Sequence, residues 1–320
     1  MVASFTKPLA SMRLTPSLCA LSVSDRKVLM SGTRIRGVAV IGIVPWLLLV
    51  ATSCSTSSSP PAQTPTTSAT AHLSAAPAPG AIKPTVVLVH GAWADTSSWD
   101  GEYDALTKQG YDVRAIANPL ENLTTDAASV ATFLQSLTGP IVLVGHSYGG
   151  SVITEAAAGN PNVKALVYVD AAAPDVGETN GSLSGPDSVL KQKPESELFG
   201  KLPVSGAPAT VSDLYLKKDT FIHNFANDLP VETATRLWAT QRTASTAAFE
   251  TPATQAAWKT IPSWYFISTG DQIITPTSEN AMAARAHSQV STYNGGSHLT
   301  LISHPEAVTA VIQSAINSVH

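Results

Sequence analysis

The feature that most constrains this chain is the run P-I-V-L-V-G-H-S-Y-G-G at residues 140–150. Ile141, Val142, Leu143 and Val144 form an uninterrupted apolar stretch, the pattern of a strand buried on both faces. It runs directly into Gly145-His146-Ser147-Tyr148-Gly149, which fits G-x-S-x-G, and a helical pattern follows. In that setting Ser147 is expected on a tight strand-to-helix turn in a strained conformation. Glycines two positions either side are needed there, because larger side chains would collide across the turn. The following helix would aim its N-terminal dipole and free N–H groups at the serine, favouring negative charge that develops beside it.

The rest of the chain from residue 85 supplies what such a turn requires. Short apolar runs alternate with helical stretches, the signature of a parallel sheet. The strands are expected at Thr85–Val89, Tyr111–Ala117, Ile141–Gly145, Val163–Asp170 and Trp264–Ser268, with a last one near Val290–Tyr293. Helices are expected at Ser98–Gln109, Asp126–Leu137, Tyr148–Ala158, Thr277–Ala286 and His304–Val319. The last of these puts Val308, Val311, Ile312, Ala315 and Ile316 on one stripe, with Pro305 in its first turn. The stretch 174–262 breaks the rhythm and shows no buried-strand pattern. It reads as an inserted helical cap rather than a loop, and lids of that kind shape a pocket and exclude water.

A serine hydroxyl is inert at neutral pH without a base, and the base needs an orienting acid. In this architecture both follow the serine, acid first. Among His223, His287, His298, His304 and His320, the best placed is His298, in N-G-G-S-H-L between the last strand and the final helix. His304 reads as opening the final helix, and His223 falls in the cap. Asp271, in S-T-G-D-Q-I-I-T-P, is the preferred acid, because it precedes His298 by one helix and one strand. Asp170, at the end of the preceding strand, is its rival, and the loser of the two is expected to be structural. An acyl-transfer site also needs two backbone donors for an oxyanion. Tyr148 N–H, just after the serine, is one. The other comes from H-G-A-W at residues 90–93, with Ala92 as first candidate and Trp93 as rival. His90 and His146 read as structural, His90 by holding the oxyanion loop through hydrogen bonds.

The front of the chain is an address. Residues 38–50, VAVIGIVPWLLLV, form an apolar run of 13 behind Arg34 and Arg36. It is shorter than the roughly 20 residues that span a bilayer and suits the core of a secretory signal. A start at Met30 gives that signal an ordinary length. The V-A-T-S-C that follows resembles a lipoprotein processing site, in which Cys54 becomes the lipidated first residue, although Ala51 stands where Leu is most usual. Ser, Thr, Pro and Ala dominate residues 55–84, which read as a disordered tether. The domain is then expected at 85–320, with the signal at 1–53. Export, and anchoring to the outer face of a bacterial membrane by the lipidated N-terminus, are the corresponding expectations.

From residue 82 onward the chain carries 13 basic and 22 acidic residues, a net charge of −9. That balance argues against nucleic-acid binding. The two cysteines, Cys19 and Cys54, both precede the domain, so it has no disulfide framework and no cysteine metal site. No metal-ligand cluster, P-loop or dinucleotide fingerprint is visible in the sequence, and no cofactor is expected.

The set H-G-A-W, G-H-S-Y-G-G, G-D-Q-I-I-T-P and G-S-H-L, in that order and spacing, resembles the α/β-hydrolase superfamily over about residues 85–320. The nearest subgroup is the plant-type esterase and hydroxynitrile lyase family with its bacterial relatives. The resemblance implies an α/β-hydrolase fold, with a mainly parallel sheet flanked by helices and an inserted, mostly helical cap. It implies Ser147, Asp271 and His298 as a triad, with Ala92 and Tyr148 as the oxyanion hole. The lyases are marked by Thr after the strand-end His and by Lys after the catalytic His. Gly91 and Leu299 stand there instead, which favours hydrolysis. The expected activity is that of a carboxylesterase on small apolar esters. The alternatives are an acyltransferase, cofactor-free haloperoxidase or lyase on the same triad, or a ligand-binding lipoprotein without catalysis.

Overall fold

In the computed structural model, which describes residues 82–319, the β-branched run Thr85–Val89 forms β1. The expected signal, Cys54, nearly all of the tether and His320 lie outside the described residues. A 3-10 turn at Thr96–Trp99 leads into α1 (Asp100–Lys108), and the Asp95 carboxylate closes its entrance by accepting the Ser97 N–H at 2.8 Å. Strict alternation follows: β2 (Val113–Ile116), α2 (Leu123–Gln135), β3 (Ile141–His146), α3 (Tyr148–Ala156) and β4 (Val163–Val169).

The chain then leaves the sheet to build the cap, which contains α4 (Val189–Gln192), α5 (Glu195–Leu198), β5 (Phe199–Pro203) and β6 (Ser212–Leu216). After α6 (Lys218–Thr220) comes a π-helical turn at Phe221–Phe225, followed by α7 (Val231–Thr240), β7 (Ala244–Ser245) and α8 (Thr246–Glu250). The cap is mostly helical, as expected, but it also holds a small sheet that the sequence pattern did not reveal, in which β5, β6 and β7 pair antiparallel. β6 buries Leu214 and Leu216 while its other positions stay half-exposed, and β5 is exposed over most of its length. One-faced strands of this kind alternate rather than run apolar, so a search for buried parallel strands passes over them.

The chain returns with β8 (Ser263–Ser268), α9 (Pro276–Arg285), β9 (Gln289–Tyr293), α10 (Thr300–Ser303) and α11 (Pro305–Asn317). The main sheet has the order β2-β1-β3-β4-β8-β9, and every neighbouring pair is parallel. β3 and β8 are buried at every residue, whereas the edge strand β9 is mostly exposed. α3 packs on β1, β3, β4 and α2, and α11 packs on β3, β4, β8 and α1. The α11 stripe of Val308, Val311, Ile312, Ala315 and Ile316 is buried. With all strands parallel, β1, β3, β4 and β8 bring their carboxyl ends to one edge, where sites form in such sheets.

Candidate active site

Ser147 follows β3 with φ 53° and ψ −123°, a left-handed conformation that costs a non-glycine residue free energy. The flanking glycines are required by close approach. A Cβ on Gly145 would lie 2.5 Å from the Gly149 carbonyl oxygen, and one on Gly149 would lie 2.4 Å from that of Val89. The turn therefore wedges α3 against β1 and lifts the Ser147 side chain clear of the sheet.

Three loops converge on it. Ser147 Oγ lies 2.7 Å from His298 Nε2, and His298 Nδ1 lies 2.6 Å from Asp271 Oδ2. Asp271 Oδ1 accepts the N–H groups of Ile273 at 2.7 Å and Ile274 at 3.2 Å, so its loop holds the carboxylate for the imidazole. The His298 and Asp271 side chains are fully buried. Burial pulls the His298 imidazole down to about 3, which keeps the ring neutral and able to accept a proton at neutral pH. Burial raises the Asp271 carboxyl, and the Ile273 and Ile274 N–H groups oppose that rise.

The H-G-A-W loop lies directly on the serine turn. A Cβ on Gly91 would sit 2.5 Å from Ser147 Cβ and 2.9 Å from the His146 carbonyl oxygen, so no larger residue fits beside the serine turn. His90 Nδ1–H donates to the Gly91 carbonyl at 2.9 Å, and its Nε2 accepts the Asn118 N–H at 3.0 Å. The ring is thus a neutral strut, and burial lowers its pKa to about 4. Ala92 and Tyr148 are both buried beside the turn. The hydrogen bonds of the described residues include none donated by either N–H. The backbone N–H of Trp93, the rival donor, likewise makes none among the described residues, and its indole donates to the Leu214 carbonyl of the cap at 3.1 Å.

Sequence reasoning undervalued two residues. His146 donates from Nε2 to the His298 carbonyl oxygen at 2.8 Å, joining the residue before Ser147 to the backbone of His298. Its occupancy of a variable motif position hid that role. The Tyr148 hydroxyl donates to Asp126 Oδ2 at 2.8 Å and anchors the start of α3 to α2. His304 caps nothing with its side chain and instead lies 4.0 Å from Asp228 and 3.6 Å from Glu306. His223 belongs to the π-helical turn of the cap, and His287 follows α9 with φ 51°.

Asp170 is structural in its contacts: its two carboxylate oxygens lie 2.7 Å from Ser268 N and 2.9 Å from Ser268 Oγ. Among the described residues, Asp170, Asp271 and Glu279 bring carboxylate oxygens within 4.8 Å of one another, the one group close enough to hold a cation. They come from three separate elements, so no sequence spacing reveals the cluster.

The cap closes over the site. The Phe225 ring lies 5.1 Å from the His298 ring. Ser147 opens into a cavity of about 390 Å³, walled on its apolar side by Trp93, Phe199, Leu214, Phe249, Ile273 and Ile274. Trp93 stacks on Phe199 at 5.7 Å and on Phe249 at 5.3 Å, which ties the H-G-A-W loop to the cap wall. Lys191, Glu195 and Glu250 supply the charged part of the lining.

Parallel sheet, serine turn and cap together define a hydrolase of the α/β type. The chain belongs to the alpha/beta hydrolase family, whose sequence pattern it matches over residues 86–311. The alpha/beta hydrolase nvfD of Aspergillus novofumigatus (strain IBT 16806) is 29% identical over 263 residues, covering 73% of this chain and 97% of that protein. A carbendazim hydrolyzing esterase of Nocardioides sp. (strain SG-4G) is 33% identical over 106 residues, covering 29% of this chain and 44% of the esterase. The crystal structure of polyneuridine aldehyde esterase shares the fold, with a TM-score of 0.62 at 16% identity over 73% of this chain and 99% of that one.

Proposed function

We propose that this hydrolase cleaves small, largely apolar carboxylic esters through Ser147, with His298 as base and Asp271 as its orienting acid. The observation that carries the reading is the continuous hydrogen-bonded line Ser147–His298–Asp271, at 2.7 and 2.6 Å, built on a strained turn. His298 takes the Ser147 proton as Oγ attacks the ester carbonyl, and Asp271 stabilises the imidazolium that forms. The Ala92 and Tyr148 N–H groups hold the oxyanion. His298 then protonates the departing alcohol, and water attacks the acyl-enzyme by the same route in reverse.

The cavity supports the substrate class. Its volume suits a small molecule, and its aromatic and aliphatic wall favours apolar acyl or alcohol groups. The ester-hydrolysing name of the Nocardioides relative agrees with that reading. Gly91 supports hydrolysis over cyanohydrin cleavage, because the serine turn leaves no room for a side chain there. Turnover of a p-nitrophenyl ester by Ser147→Ala tests the assignment. A loss on the order of 10⁴-fold or more is expected, and unchanged turnover would overturn it.

The reading extends to location. Secretion, with the mature chain anchored by lipid at Cys54 on the outer face of the membrane, rests on the apolar run at 38–50 and the V-A-T-S-C that follows it.

A further inference from the structure

Behind the catalytic line lies a row of oxygens that share too few protons. Asp170 Oδ2, Ser268 Oγ, Thr300 Oγ1 and the Ser297 carbonyl oxygen follow one another at 2.9, 2.7 and 2.6 Å. All four residues are fully buried. Each contact has hydrogen-bond length and so needs one proton between its two oxygens. The Ser268 and Thr300 hydroxyls supply two, and a carbonyl supplies none. However those two hydroxyls turn, one contact sets lone pair against lone pair unless the third proton sits on Asp170.

We propose that Asp170 is a neutral carboxylic acid that donates to Ser268 Oγ and, through Thr300, ties the loop carrying His298 to the end of β4. Ser268 then donates to Thr300, and Thr300 donates to the Ser297 carbonyl. The other Asp170 oxygen accepts the Ser268 N–H at 2.7 Å. Ser297 immediately precedes His298, so the row ends on the backbone of the base. Asp170 is a positioning residue, since its carboxyl bonds Ser268 and neither the Ser147 hydroxyl nor the His298 ring.

The surroundings fit a neutral group. Asp271 faces Asp170 from the loop after β8, Glu279 from α9, Asp228 from the cap and the Tyr265 hydroxyl from β8. Of the three clustered carboxylates, Asp271 has two backbone N–H groups and the His298 ring to hold its charge. The Glu279 carboxylate has one backbone N–H, that of Ala171, beside it and no side-chain hydrogen-bond partner among the described residues. Burial raises the Asp170 carboxyl, and the nearby Asp271 charge raises it further. A neutral Asp170 leaves Asp271 as the anion that the imidazolium meets.

The activity arm of the test rests on the proposed triad, and the spectroscopic arm does not. Infrared spectra of the wild-type enzyme at pH 8 should show the C=O stretch of protonated carboxyl groups, and Asp170→Asn should remove part of it. Asn keeps one acceptor and one donor in the same places. Asp170→Asn is therefore expected to hold kcat/KM within about threefold, while Asp271→Asn loses about 10⁴-fold. Asp170→Ala, which breaks the row, should lose between 10- and 100-fold, on the order expected for a displaced catalytic group. Unfolding midpoints give a third readout. Ionised Asp in the unfolded chain must regain a proton to fold, so wild type should lose stability relative to Asp170→Asn as pH rises from 5 to 8. Absence of the band in wild type overturns the proposal, as does a band unchanged in folded Asp170→Asn or a folded Asp170→Asn enzyme as inactive as Asp271→Asn. If Asp170→Asn does not fold, the same decision falls to Glu102→Gln/Asp126→Asn/Glu279→Gln, which removes the other buried acids outside the proposed triad: a remaining band supports the proposal, and none overturns it. Loss of Ser147 dependence would overturn the triad while leaving the infrared result standing.

Discussion

The His146 imidazole donates to the carbonyl oxygen of His298 at 2.8 Å, so the residue before Ser147 holds the backbone of the proposed base. Its ring lies 4.9 Å from that of His298, and burial keeps it neutral. His146→Ala should lower kcat by 10- to 100-fold with little change in KM, because a base misplaced by about 1 Å costs on that order. His146→Gln, which retains a donor, should recover part of the loss. Steady-state kinetics on a p-nitrophenyl ester decide it, and a change confined to KM would count against the role.

The pH profile follows from burial of the base. As the proposed base, His298 works when unprotonated, and burial pulls its pKa down to about 3, while the Asp271 carboxylate at 2.6 Å favours the imidazolium. The acid limb of kcat/KM should therefore have its midpoint below pH 6.5, the ordinary imidazole value. Activity persists as pH falls through 6.5 and is lost only at the lowered pKa. A midpoint at or above 6.5 would contradict this.

Gly91→Thr places a side chain where a Cβ already meets Ser147 Cβ at 2.5 Å. Overpacking of that kind costs about 1–3 kcal/mol. Thermal unfolding should show a midpoint lower by several degrees, and ester hydrolysis should fall with it. A Thr variant of wild-type stability and rate would mean that the loop moves aside freely.

These three predictions rest on features of unequal legibility in the sequence. Ser147, Asp271 and His298 stood out because each ends or follows a strand, and strand order alone fixes which loops can meet. The same logic named both Asp170 and Asp271 and left their order to the connection length. His146 and the cluster of Asp170, Asp271 and Glu279 were hidden for a different reason. Their partners are backbone carbonyls or side chains on other elements, and no periodicity reports those. The cap sheet was missed because Leu214 and Leu216 alternate with half-exposed residues, so β6 has no continuous apolar run.

The cavity sets a size limit. Rates on p-nitrophenyl esters should fall once the acyl chain outgrows about 390 Å³. Phe249→Ala removes a ring from the wall and should move the preference toward longer chains, by about 1–3 kcal/mol in discrimination. An unchanged chain-length profile would place the substrate elsewhere.

Lipid attachment at Cys54 has a direct readout. In a bacterial host that processes lipoproteins, the wild-type chain should incorporate a labelled fatty acid and sediment with membranes. Cys54→Ser should lose both. Membrane retention of the Ser variant without label would point to an uncleaved N-terminal segment instead.

The most direct test of the account is where a fluorophosphonate probe attaches. Peptide mass spectrometry of the labelled enzyme should find one adduct, on Ser147, with labelling slowed by Asp271→Asn and absent in Ser147→Ala. An adduct on another residue, or ester turnover that continues with Ser147 unmodified, would contradict Ser147 as the nucleophile.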